Sequence, residues 1–510
     1  MRWKKLCRRR QDEMIAKEMI PEKILAELLL ASHGPGGDFS GSPVVCDSRS
    51  ITPGAIFAAI PGTRSDGTNF IPQAVAAGAV AVLHQLPLDD YPPEITFYHV
   101  SDVRKAFSLL CRHRCGKPDE SMRIYGVTGT NGKTTSVYLL RHLLDHADIP
   151  CGLVSTVEYH NGIHVSNSTH TTPDPQTLFP LLATMKANGC QAAAMEFSSH
   201  ALAQKRLHGL QLRGAIFTNL TGDHLDYHHD MENYYQAKKE LFTTMIIPGG
   251  IAAVNIDSPA GKRLVEELAI ERPDLKLPTF GRHKDSGWRI SEEYCDIEKC
   301  SFILSNALQA FQVQFPLTGA YNISNLAGVL TLMLCDGIPA EAINNALSEP
   351  LQVPGRLEKF TSPSGAHFFV DYAHTDDALA NVLQTLKQFA AKRLIVVFGA
   401  GGDRDKSKRP RMGQRAAEFA NFIILTSDNP RSEDPLEIMA GIAAGIPDDF
   451  RYEAIISRTE ALRRAVNIAQ NGDIVLVAGK GHENYQEIKG TKHHFDDREV
   501  LQHLFTLITG

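Results

Sequence analysis

Two kinds of apolar pattern alternate along the chain and divide it into three blocks. Short continuous runs, rich in β-branched residues and alanine, read as strands buried on both faces. Between them, apolar residues recur every three or four positions, which is the helical period. The first block ends near Gly116 and holds strand-like runs at 55–60 and 79–83 with a short helix at 72–77. A polar, proline-containing stretch at 116–121 reads as a linker. The second block runs to about Leu351. Its predicted strands are 123–128, 151–156, 192–197, 215–220 and 251–256, with helices at 134–147, 176–188, 231–244 and 259–268. Residues 274–315 read as irregular or antiparallel β, and a helix pair follows at 322–335 and 340–347. The third block, from about Gln352, predicts strands at 368–372, 394–398, 422–426 and 474–478 and helices at 378–389, 411–419, 436–444 and 459–468. Strands alternating with helices call for parallel sheets, so the expected class is α/β. The expected domains are 1–116, with the first 25 residues as a tail, then 117–351 and 352–510.

Composition narrows the function classes. A length of 510 residues suits three domains of ~150 residues each. The net charge of −6 argues against general nucleic-acid binding. No apolar run reaches the ~18 residues that would span a membrane, so no membrane insertion is expected. The basic N-terminus (Arg2, Lys4, Lys5, Arg8, Arg9, Arg10) lacks the apolar core of a signal peptide and reads as a solvated tail or an early start codon. Nine cysteines are scattered without paired CxxC sets, so reduced thiols in a cytoplasmic chain are expected. A monomer is the expected state.

The most informative stretch joins a predicted strand to a predicted helix: Gly129, Thr130, Asn131, Gly132, Lys133, Thr134 and Thr135. Glycines let backbone N–H groups converge on phosphate oxygens, and the helix N-terminus adds positive potential. Lys133 suits the β/γ-phosphates and the Thr134 hydroxyl suits Mg²⁺. The spacing departs from the strict Walker form, because Val127 stands where the first glycine belongs and Gly126 is one place early. Other polar residues crowd the ends of predicted strands, where open α/β sheets place ligands. Glu196 ends a buried run and is a Mg²⁺ candidate or a paired buried acid. His224 follows the next strand and reads equally as a metal ligand or a capping histidine. Lys238, in a helical pattern, reads by itself as a surface lysine. His170, Thr171 and Thr172 form a polar turn that could hold a ligand hydroxyl or cap a helix. Asp371 closes one strand of the third block, and a glycine turn leading to Arg404 closes another. Asp428, Asn429, Pro430 and Arg431 end the next strand, and Gly479 to Glu483 the last. An arginine fork for carboxylate beside an acid for ammonium suits a zwitterion.

Together these blocks resemble the Mur ligases, ATP-dependent amide-forming enzymes of peptidoglycan precursor synthesis, over about residues 43–500. The resemblance implies three domains: a small N-terminal α/β domain, a central P-loop-type parallel-sheet ATPase domain and a C-terminal Rossmann-like domain. It implies ATP as co-substrate, Mg²⁺, and addition of meso-diaminopimelate to the γ-carboxylate of UDP-MurNAc-L-Ala-D-Glu. It places Cys46, Ser48, Thr63, Arg64 and Ser65 near the uridine diphosphate. His170, Thr171, Thr172, Ser198, Gln204 and Arg206 fall where the family holds the nucleotide-linked peptide. Asn322, Arg356 and Asp371 match ATP-contacting positions. Lys238 falls on the lysine that the family carbamylates, which replaces the surface reading, and Glu196, His224 and Thr134 complete the metal set. Arg404, Asp428, Asn429, Pro430, Arg431, Gly479 and Glu483 match the diaminopimelate site; lysine-adding members usually lack the arginine at 431. Asp376 replaces a usual proline, and His229-Asp230 a usual glycine-containing pair. The competing readings are an L-lysine-adding member, a folylpolyglutamate synthase-like ligase, and a P-loop ATPase that uses hydrolysis for motion.

Overall fold

The computed structural model describes residues 19–62, 66–88, 90–349 and 351–509. The basic N-terminal residues and Thr63, Arg64 and Ser65 therefore lie outside the described residues. Two compact units emerge. One comprises the described residues up to Arg289 with Asn325–Ala346; the other comprises Ile290–Ser324 and the described residues from Leu347 onward.

The first unit begins with a five-stranded sheet in the order Leu29–His33, Thr96–Val100, Ala81–His84, Ile56–Ala58, Val44–Val45, parallel except at its first pair. The helix Val103–Arg114 follows, started by the Asp102 carboxylate, which accepts from the N–H groups of Arg104 and Lys105. Residues 116–121 do not form the free linker that their composition suggests. Pro118–Ser121 is a 3-10 turn, and Asp119 is buried. Arg112 Nε donates to both Asp119 oxygens at 3.0 Å, and Gln211 N donates to one at 2.9 Å. A charged stretch reads as solvated only until its acid finds a buried arginine.

The central sheet of this unit runs Ile246–Asn255, Leu212–Phe217, Arg123–Thr128, Ala192–Glu196, Cys151–Val154, all parallel. Two short antiparallel strands, Glu158–His160 and Val165–Asn167, extend one side, and Thr279–Gly281 the other. Arg123–Thr128 lies in the middle, flanked by strands that end at Glu196 and Phe217. All three run the same way, so their C-terminal ends open on one edge. That edge, where chain order reverses across the sheet, is where such folds bind ligands.

The second unit is built on a six-stranded sheet in the order Glu358–Thr361, His367–Asp371, Ile474–Ala478, Leu394–Phe398, Phe422–Thr426, Tyr452–Ile455, parallel except for the first pair. Leu394, Val396 and Phe398 join the core on one face, while Ile395 and Val397 join the core on the other. Both faces are covered, which explains the uninterrupted apolar runs. Residues 300–315 form the expected antiparallel β, as the hairpin Cys300–Ser305 with Ala310–Phe315.

One expectation fails in this unit. Cys295 and Cys300 are joined as a disulfide, against the all-reduced reading of the cysteines. A reverse turn over residues 296–299 (Asp296 N donates to Lys299 O) sets their Cα atoms 4.1 Å apart. Spacing along the chain did not reveal this proximity. The other described cysteines are free.

Candidate active site

The loop after Arg123–Thr128 has the backbone of an anion cradle. Gly129 (φ 149°) and Gly132 (φ 87°) occupy conformations that side chains resist. A Cβ at Gly129 would lie 1.9 Å from Thr218 Oγ1, and one at Gly132 2.1 Å from Asn325 Oδ1. The loop is pinned from the neighbouring strand end: Thr130 N donates to Asn219 O, Asn131 N to Asn219 Oδ1, and Thr218 Oγ1 to Asn131 O. The helix Lys133–His146 starts directly at Lys133, with Thr134 and Thr135 buried in its first turn. Lys133 Nζ donates to the carbonyls of Gly129 and Thr130.

Glu196 ends the adjacent strand at 1% exposure. Thr156 fixes its carboxylate, with the backbone N–H on one oxygen (2.8 Å) and the hydroxyl on the other (3.1 Å). The polar turn expected to hold the substrate is tied to the same strand end. Thr171 Oγ1 lies 3.0 Å from Thr156 Oγ1, whose own proton goes to Glu196, Thr172 Oγ1 donates to Glu196 O, and Ser198 N donates to Thr172 Oγ1. Arg206 Nη1 donates to Thr172 O, while its Nε and Nη2 grip Gln204 Oε1. Thr171, Thr172, Ser198, Gln204 and Arg206 thus form one network around Glu196, whereas His170 is held by Tyr159, whose hydroxyl donates to its carbonyl and accepts from its N–H. Cys46 and Ser48 follow the strand Val44–Val45. Ser48 Oγ donates to Gln73 Oε1, and desolvation, aided by Asp174 and Asp47, pushes the Cys46 thiol up to about 11.

His224 stands in a left-handed backbone conformation (φ 54°), uncommon for a residue with a side chain and frequent at functional sites. Desolvation first, then His200, Lys133 and Lys238, push its imidazole down to about 4 against the pull of Asp223, although 45% of the side chain is exposed. It is therefore neutral near pH 7. Lys238, on the helix Met231–Glu240, is not the surface lysine that its pattern suggests: it is 1% exposed. Its Nζ donates to Gly129 O at 2.8 Å and sits 4.5 Å above the Tyr234 ring, which also approaches His224. Burial, with Lys133 second, holds the Lys238 amine well below the ordinary lysine range.

Among the described residues no cluster of three His, Cys, Asp or Glu side chains has metal-binding geometry. The donors nonetheless suit a hard divalent cation: a fixed carboxylate at Glu196, the Thr134 hydroxyl and a neutral imidazole at His224. Lys238 fits that set only as a carbamate, which replaces an amine by oxygen donors.

The second unit carries two further groups. A cavity of about 490 Å³ is lined by Thr318, Asn322, Arg356, Leu357, Glu358 and Phe369 among others. Asn322 is fixed by donating from Nδ2 to Thr318 O, and the Arg356 guanidinium lies 4.9 Å from the Tyr372 ring centre. Asp371 is not on this wall. Its carboxylate accepts from Leu357 N and Ala373 N, supporting the segment that carries Arg356, and burial pushes its pKa up.

At the C-terminal edge of the six-stranded sheet, Asp428, Asn429 and Arg431 follow Phe422–Thr426, and Gly479 and Glu483 follow Ile474–Ala478. A Cβ at Gly479 (φ 112°) would lie 2.4 Å from Asp428 Oδ2, so glycine is what lets these two strand ends approach. Asn429 Nδ2 donates to Glu483 Oε2 at 2.8 Å. Arg431 is again left-handed (φ 53°), with Nη1 donating to Gly402 O at 2.7 Å. Its backbone pairs with the small hairpin Tyr485–Ile488 and Thr491–His494, through Arg431 N to Glu487 O and Lys489 N to Arg431 O. Arg404 also borders Gly401, on the exposed side of that glycine turn.

Several residues here escaped the sequence reading. Lys480 is fully buried and links Asn429 Oδ1 to Glu483 Oε2; its place inside a Gly-Lys-Gly turn was the available signal. Asn219 and Asn325 lie in stretches that resemble family blocks but were assigned no role, and Tyr234 carried no signal, because their importance comes from elements distant in sequence.

These arrangements define a nucleotide-dependent ligase, and three domain matches agree. Residues 42–105 match the Mur ligase family catalytic domain, 127–333 the Mur ligase middle domain, and 355–481 the Mur ligase glutamate ligase domain. The chain belongs to the Mur ligase family and is an ATP-dependent ligase of the expected α/β class. It is 39% identical to the UDP-N-acetylmuramoyl-L-alanyl-D-glutamate–2,6-diaminopimelate ligase of Syntrophomonas wolfei, covering 91% of this chain and 94% of that one. To the enzyme of the same name from Bacteroides thetaiotaomicron it is 41% identical, over 90% and 94%. A solved structure of a ligase of that name superposes with a TM-score of 0.70 at 33% identity, covering 97% of this chain and all of that one.

Proposed function

We propose that this chain joins meso-diaminopimelate to the γ-carboxylate of D-glutamate in UDP-MurNAc-L-Ala-D-Glu, at the expense of ATP, as a step of peptidoglycan precursor synthesis. The observation that carries the choice of amino acid is the seating of Arg431. The hairpin fixes the Arg431 backbone, and the guanidinium donates to Gly402 O and pairs with Glu487 at 3.4 Å. Exchanging that acid for a substrate carboxylate, on a sheet edge that also carries Asp428 and Glu483 for an ammonium, suits a zwitterion. Relatives with this activity in their names support the reading over most of the chain.

A carboxylate is a poor acyl donor, so the γ-carboxylate first attacks the γ-phosphorus of ATP, giving an acyl phosphate and ADP. The amine of diaminopimelate then attacks the acyl carbon, and the tetrahedral intermediate expels phosphate. The glycine loop and Lys133 hold the phosphates and neutralise charge that develops during transfer. Asn322 and Arg356, on the cavity of the second unit, hold the nucleoside, with Asp371 bracing the segment that carries Arg356. Cys46, Ser48, Thr63, Arg64 and Ser65 serve the uridine diphosphate, and the network of Thr171, Thr172, Ser198, Gln204 and Arg206, with His170, holds the peptide. Glu196, His224, Thr134 and carbamylated Lys238 would hold Mg²⁺, which supplies Lewis-acid stabilisation of the phosphoryl oxygens. Burial disfavours the charged form of the Lys238 amine, and an uncharged amine is the form that reacts with CO₂.

The reading places the enzyme in the cytoplasm as a monomer, with domains 1–116, 117–351 and 352–510. The test is phosphate release from the purified protein with ATP and Mg²⁺. Release is expected only when UDP-MurNAc-L-Ala-D-Glu and meso-diaminopimelate are both present. Equal turnover with L-lysine would move the enzyme to the lysine-adding class, and hydrolysis without any amino acid would overturn the ligase assignment.

A further inference from the structure

Arg458 has the most conspicuous unassigned environment in the second unit. It is the first residue of the helix Arg458–Ile468, an end that disfavours a cation, and its side chain is fully buried. Asp497, equally buried, takes Nε and Nη2 at 2.7 Å each. That pairing offsets the burial cost of the two charges. The guanidinium has further donors, and they go to two strand ends: Nη2 donates to Ala478 O at 3.0 Å and Nη1 to Ser427 O at 3.4 Å. Those strands are not neighbours, since Leu394–Phe398 lies between them. Arg458 therefore bridges across the central strand and ties together the residues immediately before Asp428 and Gly479.

We propose that Arg458, braced by Asp497, is a positioning residue for the amino-acid subsite. It fixes the separation of Asp428 and Asn429 from Gly479 and Glu483. A Cβ at Gly479 would lie 2.4 Å from Asp428 Oδ2, so the two strand ends that Arg458 ties are close neighbours at this subsite. The proposal rests on the diaminopimelate reading of this subsite and adds a residue that does not touch the substrate.

The test compares wild type, Arg458→Lys, Asp497→Asn and Arg431→Ala by steady-state kinetics and thermal melting. Arg458→Lys keeps the charge but loses the fork, and is expected to raise KM for diaminopimelate by about 10- to 100-fold. KM for ATP and for the UDP-dipeptide should stay within about twofold, because their sites lie elsewhere. Asp497→Asn should shift the same constant in the same direction by a smaller factor. A lowered melting temperature with an unchanged KM for diaminopimelate overturns the proposal, as does failure of both variants to fold, which would make the pair purely structural. If wild type does not use diaminopimelate, the functional reading itself fails. If Arg431→Ala raises that KM and Arg458→Lys does not, only the positioning role fails.

Discussion

Lys238 and His224 show how much a single residue's surroundings decide. A lysine in a helical pattern is ordinarily solvated; here its amine is buried under the phosphate loop, on Gly129 O. Lys238→Ala is expected to cut ligase activity on the order of 100-fold or more. Added short-chain carboxylates should restore part of it by supplying the missing oxygen donors. Full activity without rescue, in a phosphate-release assay, would dismiss the carbamate. His224 sets a pH expectation. Its folded value is about 4, below the ordinary 6.5, so between those values the unfolded chain binds the extra proton and folding stability falls as pH falls. In the folded enzyme the imidazole stays neutral across that window. The acid limb of kcat should therefore lack a histidine-like step near 6.5 assignable to His224, and His224→Asn should lower activity without shifting that limb.

Elements owe their places to pairings that no local pattern reveals. The stretch at 116–121 is bolted to the helix Val103–Arg114 by the buried Arg112–Asp119 pair and to Gln211 by a backbone bond. Asp119→Asn leaves a buried guanidinium with Glu120 as its remaining acid. The expected cost is about 3 kcal/mol, the low end for breaking a buried pair, read as a shift of the urea midpoint. The small hairpin Tyr485–Ile488 with Thr491–His494 teaches the same lesson. Its strands are polar and mostly exposed, so periodicity passes over it, yet its backbone seats Arg431. By contrast, the buried strands Leu394–Phe398, Phe422–Thr426 and Ile474–Ala478 fall where their apolar runs predicted. Cores on both faces leave no polar interruption to blur the pattern.

Across the whole molecule the chemistry divides between the two units. The phosphate loop, Glu196, His224 and Lys238 belong to the first; Arg431, Asp428 and Glu483 belong to the second. The half-reactions should separate accordingly. Arg431→Ala is expected to weaken diaminopimelate use by ~2–4 kcal/mol, roughly 30- to 900-fold in KM. It should still form the acyl phosphate from ATP and UDP-MurNAc-L-Ala-D-Glu, detectable by borohydride trapping or positional isotope exchange. Lys133→Ala should lose that first step. Loss of trapping in Arg431→Ala would contradict this division.

By itself the sequence determined the α/β class, the alternation of elements, the phosphate loop and the strand ends where polar residues gather. These are local properties, carried by apolar periodicity, glycine placement and the order of motifs along the chain. The tertiary structure decided the burial of Lys238, the left-handed seats of His224 and Arg431, the Cys295–Cys300 pairing and the bridge made by Arg458. Each depends on groups distant in sequence or on a turn folding back. Desolvation, hydrogen-bond geometry and backbone strain act only once the chain has closed on itself.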